Sequence, residues 1–130
     1  MTARGRVLVV DDDPQMLDML REVVEHLGYE PSTAASGEQA IAAMATIRPH
    51  VVFLDLLMPG ITGVEVLNYV REHHPTVPVI VITGNIDQEI ALRAGAAGAF
   101  AVVGKPINLD ALKVLVALAM SLRSAREASN

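Results

Sequence analysis

Short apolar runs alternate along the chain with longer segments of helical period. Strands are predicted at Val7–Val10, Glu30–Ala34, Val51–Leu54, Val79–Thr83 and Ala99–Val103. Several of these runs are too uniformly apolar for half-exposed antiparallel strands, in which apolar and polar residues would alternate. We therefore expect strands that are buried on both faces of a parallel sheet.

Helical periodicity fills the segments between the strands. Helices are predicted at Pro14–Leu27, Gly37–Ile47, Gly63–His74, about Ile86–Ala94 and Leu109–Arg123. Their starts carry capping signals: Asp13 precedes a proline at the first helical position, and Ser36–Gln39 and Thr62–Glu65 have capping-box spacing. The pattern predicts five strand–helix units in succession.

Polar residues at the strand ends indicate the order of the strands. The second strand ends without a strong ligand, whereas polar groups follow the other four strands: Asp11 and Asp12, Asp55, Thr83, and Lys105. This distribution favours a doubly wound (βα)5 flavodoxin-like α/β sandwich, with a parallel five-stranded sheet in the order 2-1-3-4-5. Because the carboxyl ends of parallel strands lie on one edge of the sheet, we expect these side chains to meet there.

The composition narrows the class of protein. The chain has 130 residues and is 52% hydrophobic, which fits a single domain with a substantial core. A net charge of -5 at pH 7 argues against direct nucleic-acid binding, which calls for a basic face, and the absence of Cys excludes disulfides and thiolate metal sites. The sequence shows neither a signal peptide nor an apolar stretch long enough to cross a bilayer, so we expect a cytoplasmic protein without membrane contact.

The crowded carboxylates carry the candidate chemistry. Asp11, Asp12 and Asp55 resist ionising together at close range unless a cation lies among them. Mg²⁺ fits because it prefers oxygen ligands and binds through one or two carboxylates plus phosphate oxygens, so Asp12 and Asp55 are the predicted ligands. A carboxylate can also attack phosphorus directly and form an aspartyl-phosphate. Asp55 is the predicted nucleophile, and Lys105 is the predicted counter-charge.

Four motifs in a fixed order resemble one protein family. VLVVDDDP, FLDLLMPGITG, VIVITG and VVGKP make the chain similar to the receiver domain of bacterial two-component response regulators, of the chemotaxis-regulator-like kind. The spacings are also similar, because Asp55 follows Asp12 by 43 residues and Thr83 follows Asp55 by 28. The resemblance covers essentially the whole chain, and we expect a receiver domain over residues 1–124 and a polar C-terminal tail over residues 125–130.

The resemblance implies a role for each matched acidic residue. Asp55 would accept a phosphoryl group from a sensor histidine kinase or a phosphotransfer protein in a reaction that needs Mg²⁺. Asp12 would bind Mg²⁺ directly, and Asp11 would act through a metal-bound water. The backbone carbonyl of Leu57 would complete the ligands that the protein supplies.

The remaining matched residues have implied roles in switching and in shape. Lys105 would pair with the phosphoryl oxygens, and Thr83 would move inward to hydrogen-bond one of them. Pro106 is expected to follow a cis peptide bond, an isomer that is accessible before proline and that helps to aim the lysine in this family. Pro59 and Gly63 are expected to be structural residues of the loop after the third strand.

One position departs from the family pattern. Receivers often carry an aromatic residue three positions before the lysine, where this chain has Val102, so an aromatic rotamer switch is not expected. Phe100 lies two residues earlier, and period-two alternation would place it on the same side of the strand as Val102. Both residues are therefore candidates for the switch region.

The signalling surface is expected on the fourth helix, the fifth strand and the fifth helix. Apolar residues extend around more than one face of the last helix, including Val114 and Leu118. An exposed apolar patch there would dock a partner, an effector domain or a second copy of the chain in a homodimer. The same residues could instead make additional core contacts.

Two other functional classes are compatible with parts of the pattern. A haloacid-dehalogenase-type phosphatase also uses an aspartyl-phosphate, and Asp11 with Asp13 has its spacing, but Met16 and Leu17 follow where a threonine is expected. A pseudo-receiver would bind partners without phosphorylation, although the acidic pair, Thr83 and Lys105 are intact. We expect a phosphoacceptor signalling domain that catalyses only its own phosphorylation and dephosphorylation, and not a turnover enzyme.

Overall fold

Five parallel strands form one sheet, in the order β2-β1-β3-β4-β5. The structure is a computed structural model and describes residues 5–56, 58, 60, 62–84 and 88–128. The elements in chain order are β1 Arg6–Val10, α1 Pro14–His26, β2 Glu30–Ala34, α2 Gly37–Thr46, β3 Val51–Leu54, α3 Gly63–His73, β4 Val79–Thr83, α4 Gln88–Ala96, β5 Ala101–Gly104 and α5 Leu109–Ala128. The predicted fold class and strand order are confirmed.

The helices cover both faces of the sheet because alternate strand residues point to opposite sides. On one face Leu8, Val52 and Val81 pack with residues of α2, α3 and α4, such as Leu67. On the other face a second cluster joins β1, β3 and β4 to α1 and α5. Its fully buried members include Phe53, Leu20 and Leu112. The central strands are buried on both faces, as their uniformly apolar sequences predict.

The predicted caps form, and they fix where the loops end. The Asp13 carboxylate accepts a hydrogen bond from the Gln15 backbone N–H at 3.0 Å, and Thr62 Oγ1 accepts one from the Glu65 N–H at 3.2 Å. Ser36 Oγ accepts from the Gln39 N–H at 3.1 Å, while Gln39 Oε1 accepts from the N–H of Ala35, the residue before the cap. Each of the three loops therefore enters its helix at the predicted residue.

Strand β5 begins two residues later than predicted. Gly98 has a φ of 92°, and the Ala99 N–H donates to the Ala94 carbonyl at 3.0 Å. Ala99 therefore belongs to the turn that ends α4, which itself continues to Ala96 instead of stopping at Ala94. Apolar composition alone did not separate this turn from the strand that follows it.

Helix α5 is longer than predicted. It continues to Ala128, whereas the pattern predicted an end at Arg123 and a polar tail from residue 125. The additional residues are mostly Ala, Arg and Glu, which favour helix regardless of amphipathic period. No helix among the described residues combines the length and the apolar character that crossing a membrane requires.

Candidate functional site

The polar residues predicted to converge all lie at the carboxyl edge of the sheet. In the register of the central strands Val10 lies beside Leu54, so the next residues, Asp11 and Asp55, leave the sheet at the same level. The Asp55 N–H donates to the Val10 carbonyl at 3.0 Å, which extends the strand pairing to the first residue of the site. Backbone pairing therefore places Asp55 next to the end of β1.

Three carboxylates lie close together at this edge. Asp11, Asp12 and Asp55 each offer an oxygen, and these oxygens lie within 4.8 Å of one another. Asp11 and Asp55 are buried, with 2% and 6% exposure, whereas Asp12 is exposed. A group of oxygen ligands that is open to solvent on one side could bind a hard metal ion that keeps some of its own water.

Lys105 reaches into this acidic group from the end of β5. Its Nζ lies 3.0 Å from Asp11 Oδ2 and 3.5 Å from Asp55 Oδ2. Burial by itself lowers the pKa of Lys105, but the hydrogen bonds and charges of Asp11 and Asp55 outweigh burial and raise the pKa above its ordinary value. Lys105 therefore remains an ammonium group and offsets part of the local negative charge.

Asp11 is held from both sides. Its Oδ1 accepts a hydrogen bond from the Asp13 backbone N–H at 2.9 Å, and its Oδ2 accepts one from Lys105. Sequence reasoning assigned Asp11 to the metal and Lys105 to the phosphoryl group, and it did not foresee a direct contact between them. The Lys105–Pro106 peptide bond is cis, as expected.

Thr83 and Val102 lie on the same face of the sheet. Val81 pairs in register with Val102, and Thr83 follows Val81 by two residues. Thr83 is fully buried, and its Oγ1 has no hydrogen-bond partner in the described part of the chain. A buried hydroxyl without a partner is unfavourable, so a new acceptor nearby would stabilise it.

The predicted placement of Phe100 beside Val102 is wrong. Val102 packs against the cluster that includes α3 and α4, whereas Phe100 packs against the opposite cluster with α1 and α5. Phe100 precedes the first residue of β5, so the alternation of the strand does not extend to it. The aromatic ring therefore lies on the other side of the sheet from Thr83.

Gly63 allows the start of α3 to approach the loop that carries Asp55. A Cβ at Gly63 would lie against the Leu56 Cα and 2.5 Å from the Asp55 carbonyl oxygen, and the Gly63 N–H donates to the Leu56 carbonyl at 3.2 Å. Glycine is thus needed at position 63 because a side chain would not fit there, and not because the backbone has a positive φ. Leu57 and Pro59, the other residues predicted in this loop, lie outside the described residues.

Comparison with known proteins gives matches over most of the chain. The family model described as "response regulator receiver domain" matches residues 7–117. The regulatory protein AtoC of Escherichia coli K12 is 37% identical over 127 residues, and the nitrogen assimilation regulatory protein NtrX of Azorhizobium caulinodans is 36% identical over 124 residues. These alignments cover 98% and 93% of this chain but 28% and 27% of the two relatives, so the chain spans about a quarter of their length.

Solved structures agree with the sequence relatives. The receiver domain of NtrX from Brucella abortus aligns with a TM-score of 0.83 at 32% identity, and covers 88% of this chain and 98% of that domain. A CheY-like response regulator receiver domain protein from Methanospirillum hungatei JF-1 aligns with a TM-score of 0.89 at 27% identity, over 95% and 99% of the two chains. The overall fold is therefore similar to known receiver structures.

Gly63→Ala is expected to destabilise the protein because the added methyl group must displace the backbone at Asp55 and Leu56. We expect the free energy of unfolding in urea to fall by about 1–3 kcal/mol. Gly95→Ala is the matched control, because Gly95 lies in a helix and a Cβ there would meet nothing within 4 Å. This substitution should raise the free energy of unfolding by about 0.5–1 kcal/mol. Equal effects of the two substitutions would contradict the close approach at Gly63.

Proposed function

The chain belongs to the response regulator receiver domain family, and from this premise we propose that Asp55 accepts a phosphoryl group from a sensor histidine kinase or a phosphotransfer protein in a Mg²⁺-dependent reaction. The phosphorylated domain then switches its α4-β5-α5 surface to control a partner or an effector domain. The observation that carries the proposal is the buried Asp55 carboxylate, which lies within 3.5 Å of an ammonium group and within 4.8 Å of two further carboxylates.

The transfer step is a displacement at phosphorus by Asp55. A carboxylate oxygen of Asp55 forms the new O–P bond, the P–N bond to the donor histidine breaks, and the released imidazole takes up a proton. Lys105 is already beside Asp55 and can follow the phosphoryl oxygens as negative charge moves onto them. Asp11 holds Lys105 at this position through the 3.0 Å contact.

Mg²⁺ suits the donor atoms that the site provides. Asp12 and Asp55 would hold the ion directly, with the backbone carbonyl of Leu57, and Asp11 would contribute through a metal-bound water. The exposure of Asp12 and the two contacts already made by Asp11 favour this division of roles. When bound, Mg²⁺ neutralises the clustered carboxylates and polarises the phosphoryl group.

Thr83 is the residue that would sense the phosphoryl group. Its buried hydroxyl gains an acceptor when phosphoryl oxygens arrive, and this hydrogen bond favours the conformation in which Thr83 has moved toward Asp55. Val102 lies on the same face and would respond by a small change in packing in place of an aromatic rotamer change. Phe100, on the opposite face, would have at most an indirect part.

Exposed apolar side chains mark the proposed output surface. Leu92 on α4 and Val114 and Leu118 on α5 are 65%, 58% and 54% exposed. This surface favours a homodimer through α4-β5-α5 or the docking of a partner. We propose a cytoplasmic domain over residues 1–124, with a polar C-terminal segment at residues 125–130, and no direct nucleic-acid binding by this domain.

The phosphatase alternative is weakened by the position of Asp13. The Asp13 carboxylate caps α1, whereas a phosphatase would use it beside the nucleophile as a second catalytic acid. We therefore propose a signalling domain that catalyses only its own phosphorylation and dephosphorylation. The intact acidic group, Thr83 and Lys105 also favour this function over a pseudo-receiver.

Asp55→Asn is expected to abolish covalent phosphorylation because an amide is a poor nucleophile toward phosphorus. With Mg²⁺ and a small acyl-phosphate donor, intact mass should increase by one phosphate in the wild type and not in Asp55→Asn. Asp13→Asn is the matched control, since Asn is an equally good N-cap, and it should still be modified. An adduct on Asp55→Asn would contradict the assignment, and steady phosphate release from unrelated monoesters would indicate a phosphatase.

Asp12→Asn is expected to stabilise the metal-free protein because it removes one of three crowded negative charges. Urea unfolding in EDTA should show a higher free energy of unfolding than the wild type. Mg²⁺ at about 100 times its Kd should stabilise the wild type by about 2.7 kcal/mol and should stabilise Asp12→Asn less. Asp18→Asn is the control, at an exposed position on α1 outside the cluster, and Mg²⁺ should stabilise it as much as the wild type. If Mg²⁺ stabilised Asp12→Asn as much as the wild type, the proposed metal site would be contradicted.

Leu118→Glu is expected to prevent dimerisation because it places a charge in the exposed apolar surface. In sedimentation experiments the wild type with a phosphoryl mimic should form dimers, and Leu118→Glu should remain monomeric. Met19→Glu, at a 40% exposed apolar residue of α1, is the control and should still dimerise. A wild type that is monomeric with and without the mimic would exclude the homodimer.

A further inference from the structure

A polar cavity lies at the amino edge of the sheet, opposite the carboxyl edge that holds Asp55. It has a volume of about 350 Å³ and is lined by Arg48, which precedes β3, by His74 and Thr76, which precede β4, and by Arg123 of α5. Met44 and Val77 form its apolar wall. We call it the basal cavity. Strands of four or five residues separate it from Asp55 by roughly 15 Å, at about 3.3 Å per residue.

The basal cavity concentrates positive charge in a protein that is acidic overall. The chain carries a net charge of -5, yet two arginines line this cavity, and no Asp or Glu is among the described residues that line it. Burial, and then the charge of the neighbouring His73, lower the pKa of His74, so its imidazole contributes a hydrogen-bonding group and not a charge at neutral pH. The Thr76 hydroxyl adds a further hydrogen-bond donor. Guanidinium groups bind phosphate through paired, charge-assisted hydrogen bonds, so the lining favours a phosphate group.

Arg126 adds a second observation on the same helix. It lies three residues after Arg123, which places the two side chains next to each other on the surface of α5. Its Nη1 is buried and has no hydrogen-bond acceptor within the described ranges. Arg126 does not line the cavity itself, but a buried guanidinium nitrogen that lacks an acceptor is unfavourable, and Arg126 is the nearest further cation on α5 to an anion held by Arg123.

The turn that presents Arg48 is held in an unusual conformation. Arg48 has a φ of 54°, a region that residues other than glycine rarely occupy. The Arg6 guanidinium fixes this turn by donating from Nη2 to the Arg48 carbonyl at 2.9 Å and from Nε to the Ile47 carbonyl at 3.1 Å. Arg48 follows Ile47, the C-cap of α2, so this φ ends the helix, and a position that usually holds glycine here carries a guanidinium group at the cavity.

Helix dipoles explain only part of this charge. The carboxyl ends of α2 and α3 lie near Arg48 and His74, and basic residues are favourable there without any ligand. Arg123 is different, because α5 continues beyond it to Ala128 and the carboxyl end of its own helix is more than a turn away. The dipole of α5 therefore does not explain why Arg123 lies at the cavity.

We propose that the basal cavity binds a phosphomonoester that carries a compact apolar group. The guanidinium groups of Arg48 and Arg123 hold the phosphate, and the apolar group packs on Met44 and Val77. The cavity volume lies near the lower end of the range of about 300–1,000 Å³ that is usual for small-molecule sites. This site is separate from the phosphoacceptor edge and does not depend on the function proposed there.

The test is a titration of the full chain with phenyl phosphate, with inorganic phosphate and benzoate as comparison probes. EDTA is present throughout, so that no divalent ion recruits phosphate to the acidic edge. We expect phenyl phosphate to bind more tightly than the other two and to shift the backbone amide resonances of Arg48, His74 and Thr76, but not those of Asp55 or Thr83. No binding, shifts confined to the carboxyl edge, or equal affinity for the three probes would each overturn the proposal.

Two variants test the arginines directly. Arg48→Asn removes the guanidinium group but leaves a side chain that tolerates a positive φ, and Arg123→Gln leaves a good helix former. Each substitution should weaken the binding of phenyl phosphate about tenfold or more. Arg21→Gln on α1, outside the cavity, is the charge-matched control and should bind like the wild type. Unchanged binding in both cavity variants would overturn the assignment, and so would an equal loss of binding in Arg21→Gln. If a variant fails to fold, the amide shifts of the wild type on binding phenyl phosphate test the location of the site instead.

Discussion

The crowding of like charges at one edge of the sheet is the constraint on which the rest of this structure depends. Asp11 and Asp55 are buried next to each other, and buried charges are tolerated only when they are paired. The Lys105 ammonium group offsets part of this negative charge. Lys105 follows β5, which is not a neighbour of β1 or β3 in the sheet. The edge remains net negative, and its clustered oxygen atoms could hold a metal ion.

The parallel sheet also gives the molecule two chemically different edges. Carboxylates gather where the strands end, and arginines gather around the cavity where β3 and β4 begin. The long α5 joins the two, because its first turns pack with the core through Leu112 and its later residues reach the basal cavity through Arg123. Because all five strands run in the same direction, the carboxylates lie at one edge of the sheet and the arginines of the basal cavity at the other.

Local sequence signals were sufficient wherever neighbouring residues decide the structure. The starts of α1, α2 and α3 follow from Asp13, Ser36 and Thr62, because a cap bonds only to backbone groups two or three residues away. The signals failed where a tertiary contact or a turn competed with them. Ala99 has the composition of a strand but closes the turn after α4, and Phe100 consequently packs on the face opposite to the predicted one.

The sequence by itself determined the fold class, the strand order and the residues that gather at the carboxyl edge. Uniformly apolar strands with polar residues at their ends leave few arrangements that bury the strands and bring the polar residues together at one edge of the sheet. Only the tertiary structure decided that Lys105 contacts Asp11, that Gly63 must be small and that Arg123 shares a cavity with Arg48. These contacts join residues far apart in the chain or depend on distances of a few ångströms between backbones, and neither is encoded in a local pattern.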